Sequence, residues 1–211
     1  MNPTLPHRFF LRLPARLAGL ALLLSLSACA SKAPPPTLYD FGPPAPAVGA
    51  APAGLPGLRS LVVADVTGPS WLDSQRMYYR LLYADAQQSR PYAQNQWNAP
   101  PLQLLGQRLK SRIAQSGVKV LSATDAAASV ALLRVEVDDF AQNFDSQTQS
   151  SAQLTLRASL FRGHTLIDQK TFTRREPAVS ADAPGGAKAL ANASDAVAAD
   201  LIGWLGALPS Q

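Results

Sequence analysis

The chain has 211 residues, 47% of them hydrophobic and 16% charged, which suits one folded domain with extensions and excludes a chain that is disordered throughout. The formal net charge is +5, but leaving out the three arginines of residues 1–28 leaves 16 basic and 14 acidic residues. A nearly neutral domain without a basic run has no electrostatic basis for binding nucleic acid, so we expect no nucleic-acid partner.

Residues 1–28 have the composition of an export signal. Arg8, Arg12 and Arg16 make the first part of this segment positively charged, and the segment contains no acidic residue. Residues 17–27 follow as an apolar stretch of signal-peptide length, shorter than the ~20 apolar residues that a transmembrane helix needs. We therefore predict a lipoprotein signal peptide over residues 1–28.

Cys29 is the only cysteine of the chain and directly follows this segment. Leu26-Ser27-Ala28-Cys29 matches the bacterial lipobox at every position, which predicts cleavage before Cys29 and covalent lipid on its thiol and its new amine. Several acyl chains hold a protein on a membrane far more firmly than one does. We expect no other cofactor. Ala30 stands where an aspartate favours the inner membrane in this class, so we predict an outer-membrane location facing the periplasm.

Residues 29–57 are predicted to be the lipidated N-terminus and a Pro/Ala-rich tether. Proline-rich stretches of small residues favour extended, solvated backbone, and about 27 such residues span up to ~90 Å. One apolar cluster, Leu38-Tyr39-Asp40-Phe41, interrupts the stretch. It is either a short strand docked on the domain or an apolar spot in a linker, and the sequence leaves both open.

Residues 58–211 are predicted to form the folded domain, which begins with two strands and a helix. A β-branched strand over residues 61–66 ends at a Gly-Pro turn, and an aromatic strand covers residues 77–83. A helix opens after Pro100 and closes at Gly117, a typical C-terminal cap. Its apolar residues recur at helical spacing: Leu102, Leu105, Leu109 and Ile113.

The second half of the domain has the pattern of a β-meander followed by a helix. Apolar and polar side chains alternate over residues 133–138 and 153–160, and a turn at residues 162–164 leads to a third strand over residues 166–174. Residues 190–208 carry an amphipathic helical stripe. Alternation leaves one face of a sheet wet, so we predict an α+β domain: a single antiparallel sheet with two main helices packed on one face.

Residue types that support catalysis or bind metals are scarce. His7 lies in the predicted signal peptide and His164 lies in a tight turn, so the sequence indicates no Ser-His-Asp, Cys-His or histidine-rich metal site. Asp138 and Asp139 are neighbours on a strand, where successive side chains point to opposite faces. We predict that the chain is not an enzyme and carries no metal site.

Aromatic residues are concentrated in one segment. Tyr78, Tyr79, Tyr83 and Trp97 lie within twenty residues, in a chain with only 7% aromatic residues. Tyrosine and tryptophan are favoured where one end of the side chain is packed and the other meets a partner. We select these four as candidate partner-binding residues. The alternative is that they belong to the core and its rim.

The order of several motifs resembles one family. The lipobox is followed by the LYDF cluster at 38–41, the strand LVVADVTGPSWLD, the tyrosine-rich strand MYYRLLY, and the WNAPPL motif at 97–102, which opens the helix that Gly117 closes. In this order and spacing the chain is similar to the ABC-type transport auxiliary lipoprotein family, which includes PqiC-like proteins. The similarity covers about residues 39–208, and the WNAPPL motif is its most specific part.

The resemblance implies an outer-membrane lipoprotein that works with an MCE-domain protein and an ABC transporter in moving lipid between membranes, with no catalysis by this subunit. Cys29 is the only functional residue that the family pattern transfers. Assembly into a homo-oligomer, lipid binding by the domain, the lipid species and the transport direction are left open. The rival interpretations are an envelope-assembly or cell-wall-associated lipoprotein, and a lipid hydrolase, for which a Gly-x-Ser-x-Gly motif is missing.

Overall fold

Eight strands and two α-helices make up the part of the chain that the computed structural model describes, which is residues 34–44, 55, 58–122, 124 and 130–209. The predicted signal peptide and Cys29 lie outside these residues. The elements are β1 (Thr37–Tyr39), β2 (Ser60–Val63), β3 (Arg76–Leu81), β4 (Asp85–Trp97), α1 (Pro101–Gln115), β5 (Lys119–Leu121), β6 (Ala131–Phe144), β7 (Ser150–Arg162), β8 (Thr165–Pro177) and α2 (Ala183–Ala207). A 3-10 helix, Ser70–Asp73, lies between β2 and β3.

Strand β6 joins the two halves of the sheet. On one edge it pairs antiparallel with β7 along its whole length, and β7 pairs antiparallel with β8, which is the predicted meander. On the other edge three segments pair with it in turn: β2 at residues 131–133, Thr67 at Glu136, and β3 at residues 142–144. Strands β4 and β1 extend the sheet beyond β3, and β5 extends it beyond β2.

The predicted α+β class, with two main helices and one large sheet, is confirmed. The sheet is mostly antiparallel, but four short pairings are parallel among the described strands: β1 with β4, β2 with β5, and both β2 and β3 with β6. Two of these parallel pairs, β2 with β5 and β3 with β6, have helix α1 between their strands in the chain. Crossover connections of this kind bring the second strand back in the same direction as the first. The hairpin connections keep the long pairings antiparallel.

Strand β4 is the main element that the sequence did not predict. Its thirteen residues, Asp85–Trp97, are largely polar and show no sustained alternation, and the strand contains Pro91. Proline is tolerated in an edge strand, because the N–H group that it lacks is not needed on the side that has no neighbouring strand. Most of β4 is exposed and only its last three residues pair with β1, so no apolar pattern marks it as a strand.

Both helices are held by the residues at their ends as well as by their apolar faces. Helix α1 buries Leu105, Leu109 and Ile113, and Gly117 follows it with a φ of 90°, as predicted for its cap. Helix α2 begins earlier than its apolar stripe predicted, because the Asp182 carboxylate accepts a hydrogen bond of 2.8 Å from the Gly185 N–H. The apolar stripe therefore could not predict where α2 begins, because the N-cap residue Asp182 sets that position.

The apolar cluster within the predicted tether is docked on the domain. Thr37 pairs with Asn95 and Tyr39 with Trp97, so β1 lies parallel to the end of β4. Phe41 is buried in the core, and the Arg108 guanidinium donates hydrogen bonds to the carbonyl oxygens of Phe41 and of the next residue. Of the two alternatives left by the sequence, the docked strand is correct. The folded part of the chain therefore reaches back into the range predicted as tether.

Candidate partner-binding surface

The predicted partner-binding segment forms the β3–β4 hairpin. Residues 82–84 make its turn, closed by a hydrogen bond of 3.0 Å from the Ala84 N–H to the Leu81 carbonyl. A second bond, of 2.9 Å, runs from the Leu82 N–H to the Phe144 carbonyl and ties the turn to the end of β6. Leu82 is 37% exposed and Tyr83 is 47% exposed. Tyr83 is thus the most exposed of the four predicted residues.

Trp97 does not belong to the surface. It is 1% exposed, and its ring lies 5.5 Å from that of Phe41 and 5.9 Å from that of Phe140. This corrects its selection as a partner-binding residue, because a side chain enclosed in the core has no atoms to offer a partner. The core alternative holds for Trp97. The burial of Trp97 could not be predicted from the sequence, because Phe41, which covers its ring, lies in a segment predicted as tether.

Tyr79 belongs to a half-buried cluster on the helix side of the sheet. Its ring centroid is 4.6 Å from that of Tyr92 and 5.6 Å from that of Phe144. The Tyr92 hydroxyl donates a hydrogen bond of 2.9 Å to Oε1 of Gln142, which is 1% exposed. Burial chiefly, together with Tyr79 and Asp182, raises the pKa of Tyr92. Its hydroxyl therefore stays protonated and remains a donor.

Gln142 connects this cluster to the start of α2. Its Nε2 donates to the Ser150 hydroxyl at 2.8 Å and to the Asp182 carbonyl at 3.1 Å. A Cβ on Gly186 would lie only 1.9 Å from Gln142 Oε1, so glycine lets the helix approach this side chain. Tyr92 belongs to the same aromatic segment but was not among the four selected candidates, and the sequence did not indicate Gln142, since a lone glutamine in an alternating strand carries no signal. The network is structural and holds hairpin, sheet and helix together.

Tyr78 lies on the opposite side of the sheet, because successive strand residues alternate. Its ring centroid is 5.2 Å from that of Trp71 at an interplanar angle of 80°, and both side chains are half-buried. Two residues further along the strand, Arg80 forms an ion pair of 2.9 Å with Asp139. The four predicted residues thus fall into four different environments. They do not form one patch.

We use the name open face for the sheet face opposite the helices, lined by Tyr78, Arg80, Arg134, Glu136, Asp139, Thr155 and Arg157. It contains a groove of about 430 Å³ where β2 diverges from β6. The Arg134 guanidinium lies 4.9 Å from the centre of the Phe161 ring at this groove. Arg157 hydrogen-bonds to Glu136, which raises the pKa of Arg157. The surface is therefore a rigid sheet with charges of both signs and accessible aromatic edges.

The described residues were also compared with the predictions about metal ligands and about His164. In that part of the chain no group of three or more histidine, cysteine, aspartate or glutamate side chains converges as a metal site would. His164 is exposed in the turn between β7 and β8, where the sequence placed it. Within the same described segments no helix combines the length and apolar composition required to span a bilayer.

Comparison with known proteins agrees with the fold and with the motif order. A family model described as "ABC-type transport auxiliary lipoprotein component" matches residues 39–202. Among solved structures, protein XCC0632 from Xanthomonas campestris has 23% identity and a TM-score of 0.63, over 81% of this chain and 92% of that chain. An uncharacterised protein has 19% identity and a TM-score of 0.58, over 72% of this chain and 95% of that chain.

At these identities the solved structures show the shared fold alone. No curated protein matches the chain. The family model carries the assignment, since it spans well over half of the chain and nearly the whole of the described sheet and helices. The resemblance predicted from the order of the motifs is confirmed. The chain belongs to the family of ABC-type transport auxiliary lipoprotein components.

Proposed function

We propose that the chain is the outer-membrane-anchored lipoprotein component of an MCE/ABC-type intermembrane lipid transport system, and that it acts as a non-catalytic docking subunit. The observation that carries the proposal is the match of the family model to residues 39–202 in a chain with a lipobox just upstream, at Cys29. Lipid on Cys29 holds the domain at the membrane, and the domain binds an MCE-domain protein.

The open face is the surface best suited to that partner. Strands β6, β7 and β8 are each at least thirteen residues long and pair along their whole length, so they present a stiff platform. Glu136 and Arg157 are exposed on it, and the Tyr78–Trp71 pair lies on the same face, further along β6. Rigid aromatic side chains combined with charges of both signs are typical of specific protein interfaces.

A docking role also agrees with the ion pairs that the carboxylates form. Asp139 contacts Arg80, Glu136 contacts Arg157, and Asp195 contacts Arg112 at 2.8 Å. Each of these acids is matched by a guanidinium that lies on another strand or helix. The pairs join β3 to β6, β6 to β7, and α1 to α2. They stabilise the platform.

Anchoring is tested by mass spectrometry of the mature N-terminus. We expect a terminus at Cys29 carrying a diacylglyceryl group and an amide-linked acyl chain. Cys29→Ser should accumulate as an unlipidated precursor, because the thiol that accepts the lipid is lost. A mature terminus elsewhere, or an unmodified Cys29, would contradict the anchoring. Separation of inner and outer membranes then shows which of them retains the wild-type protein.

The partner is tested by photocrosslinking in intact cells. A photoreactive residue in place of Thr155, on the open face, should trap an MCE-domain protein that is identified after purification from the envelope. The matched control is Val179, which is 76% exposed and lies between β8 and α2, away from the open face. Equal crosslinking at both positions, or capture of cell-wall assembly proteins at Thr155 alone, would favour the rival interpretation of an unrelated envelope lipoprotein.

A further inference from the structure

One end of the open face combines a cation with accessible apolar side chains. Leu132 of β6 pairs with Phe161 of β7, and Phe161 pairs with Leu166 of β8, so the three lie in a row across three strands. Leu132 is two residues from Arg134 on β6 and therefore lies on the same face of the sheet. Leu166 is 49% exposed, and Leu132 and Phe161 are half-buried. We call Leu132, Phe161 and Leu166 the apolar row.

The charges of the groove beside the apolar row do not balance. Four charged residues line this groove: Asp65, Arg134, Glu136 and Arg157. Asp65 forms an ion pair of 3.2 Å with Lys110, and Glu136 pairs with Arg157. Arg134 pairs with no acid in the part of the chain that the structure describes. The groove therefore keeps one positive charge that the described fold does not match.

Arg134 is positioned to bind a carboxylate. Its guanidinium carbon lies over the Phe161 ring, 4.9 Å from the ring centre. Contact with an aromatic face orients the planar guanidinium and leaves N–H donors at its edge, where a carboxylate can accept two parallel hydrogen bonds. Asp138, an acid that acts on Arg157, lies beyond Glu136 on β6 and so on the far side of that residue from Arg134. The missing acid must therefore come from another molecule.

We propose that Arg134 and the apolar row form the anchor for one segment of the partner protein, a segment that carries a carboxylate side chain next to an apolar one. This inference rests on the proposed docking of a partner protein at the open face. The carboxylate binds the Arg134 guanidinium, and the apolar side chain covers Phe161 and Leu166. Arginine is among the residue types that dominate binding at protein interfaces, and complementary charge fixes the register of the partner.

A protein segment fits this site better than a lipid does. The groove is open along the surface of the sheet, whereas sites for small amphiphiles enclose most of the ligand in a concave pocket. A segment of a larger partner needs no such enclosure, because the surface around the anchor excludes water from the contact.

The test measures photocrosslinking in intact cells. A photoreactive phenylalanine analogue replaces Leu166, and the trapped partner peptide is sequenced. In this background Arg134→Gln should lower the crosslinking yield by about tenfold, because the carboxylate loses its ionic partner. Lys170→Gln is the matched control, since it also removes a cation from above a phenylalanine ring, 5.5 Å from the centre of Phe172, but on the helix side. Equal yields from the two variants would overturn the proposal.

Both substituted side chains are exposed, so neither variant should change the melting temperature appreciably. Charge exchange then identifies the contact itself. An aspartate or glutamate of the trapped peptide is replaced with arginine, which should abolish crosslinking, and Arg134→Glu should restore it. A trapped peptide without an acid, failure of every exchange to restore crosslinking, or a lipid adduct at position 166 would each overturn the proposal.

The identity of the trapped protein separates this inference from the proposed function. An MCE-domain protein trapped from Thr155 but not from position 166 supports the proposed function and overturns the anchor. A different envelope protein whose acid exchanges charge with Arg134 supports the anchor and overturns the MCE assignment. Absence of a trapped protein at both positions overturns both.

Discussion

The guanidinium of Arg108, in the middle of α1, hydrogen-bonds to the backbone carbonyl of Phe41, in the segment that follows β1. Arg108 is 5% exposed, and its Nε lies 3.7 Å from the Asp195 carboxylate. Its planar side chain also lies against the Phe41 ring, 5.9 Å from its centre. A buried cation thus holds the N-terminal segment on the domain and simultaneously faces α2.

Arg108→Ala should release the N-terminal segment. We expect the free energy of unfolding to fall by ~2–4 kcal/mol, because charge-assisted hydrogen bonds are lost and a cavity remains. Denaturant unfolding measures this loss, and limited proteolysis should cut within residues 42–57 faster than in the wild type. The control is Lys110→Ala on the same helix. Lys110 pairs with the 98% exposed Asp65, so we expect a change below ~0.5 kcal/mol.

Trp97→Ala should destabilise the fold without a selective effect on binding. Truncating a fully buried aromatic side chain lowers the free energy of unfolding by ~3–5 kcal/mol. Tyr83→Ala, at an exposed position on the same hairpin, should change it by less than ~0.5 kcal/mol. Thermal unfolding of the two variants distinguishes core from surface. A Trp97→Ala protein with wild-type stability would contradict the place assigned to Trp97.

Two glycines of α2 should respond to alanine in opposite ways. Gly186→Ala places a methyl group against Gln142 and should lower the free energy of unfolding by ~1–3 kcal/mol. Gly203→Ala has no atom within 4 Å of the new Cβ and should raise it by up to ~1 kcal/mol, since alanine favours helix. Denaturant unfolding of both variants tests the close approach of α2 to the sheet. A stabilised Gly186→Ala variant would refute it.

The cap of α2 should make stability dependent on acid pH. Hydrogen bonds from the Ser180 hydroxyl and the Gly185 N–H lower the pKa of Asp182 below its unfolded value. Its contribution is therefore present above pH ~4 and is lost as the pH falls through the unfolded and then the folded pKa. Asp182→Ala should lower the free energy of unfolding by ~1 kcal/mol at pH 7.

Asp182→Asn is the control for this pH effect, because asparagine also caps helices but does not titrate. Its unfolding should change less between pH 7 and pH 3 than that of the wild type. Identical pH profiles for the two proteins would show that Asp182 does not contribute to acid sensitivity.

Charge reversal on the open face should remove the partner and leave the fold intact. Arg157→Glu places like charges at the Glu136 contact and should abolish copurification of the MCE-domain protein. Adding Glu136→Arg restores the ion pair with reversed sign, so the melting temperature should stay close to that of the wild type while the partner stays lost. Lys170→Glu is the control, since Lys170 lies over the Phe172 ring on the helix side. Retained binding by Arg157→Glu would exclude this part of the open face.

The elements that the sequence predicted well are those whose side chains alternate between core and water. β6, β7 and the apolar stripe of α1 satisfy this condition, because burial on one side selects the residue type at each position. Strand β4 does not alternate in this way. Backbone hydrogen bonds to β3 hold it in place, and backbone hydrogen bonds do not require particular side chains. The same holds for β1, which three residue pairs attach to β4.

Of the candidate site, the sequence identified the right segment but not the roles within it. The cluster of tyrosines and Trp97 did locate the β3–β4 hairpin. Its division into core, helix side, open face and hairpin turn depends on strand register, and register is set by contacts with Phe41 and Gln142, which are distant in the sequence. The pairing of Arg157 with Glu136 likewise becomes visible only once β6 and β7 are aligned.

The position of β6 in the chain has a consequence for how the protein is made. Val62 pairs with Leu132 and Tyr79 with Gln142, so β2 and β3, which pair with β5 and β4 on their other edges, cannot be joined into one sheet until β6 has been synthesised. Pairings of such separation form slowly, because a long loop must close before any contact repays its entropy. The partners of the apolar strand β2 come late in the chain: β5 begins at Lys119, and the segment of β6 that pairs with β2 begins at Ala131. Until β6 is available, β2 keeps an unpaired apolar edge, and such edges make an incomplete chain prone to aggregation.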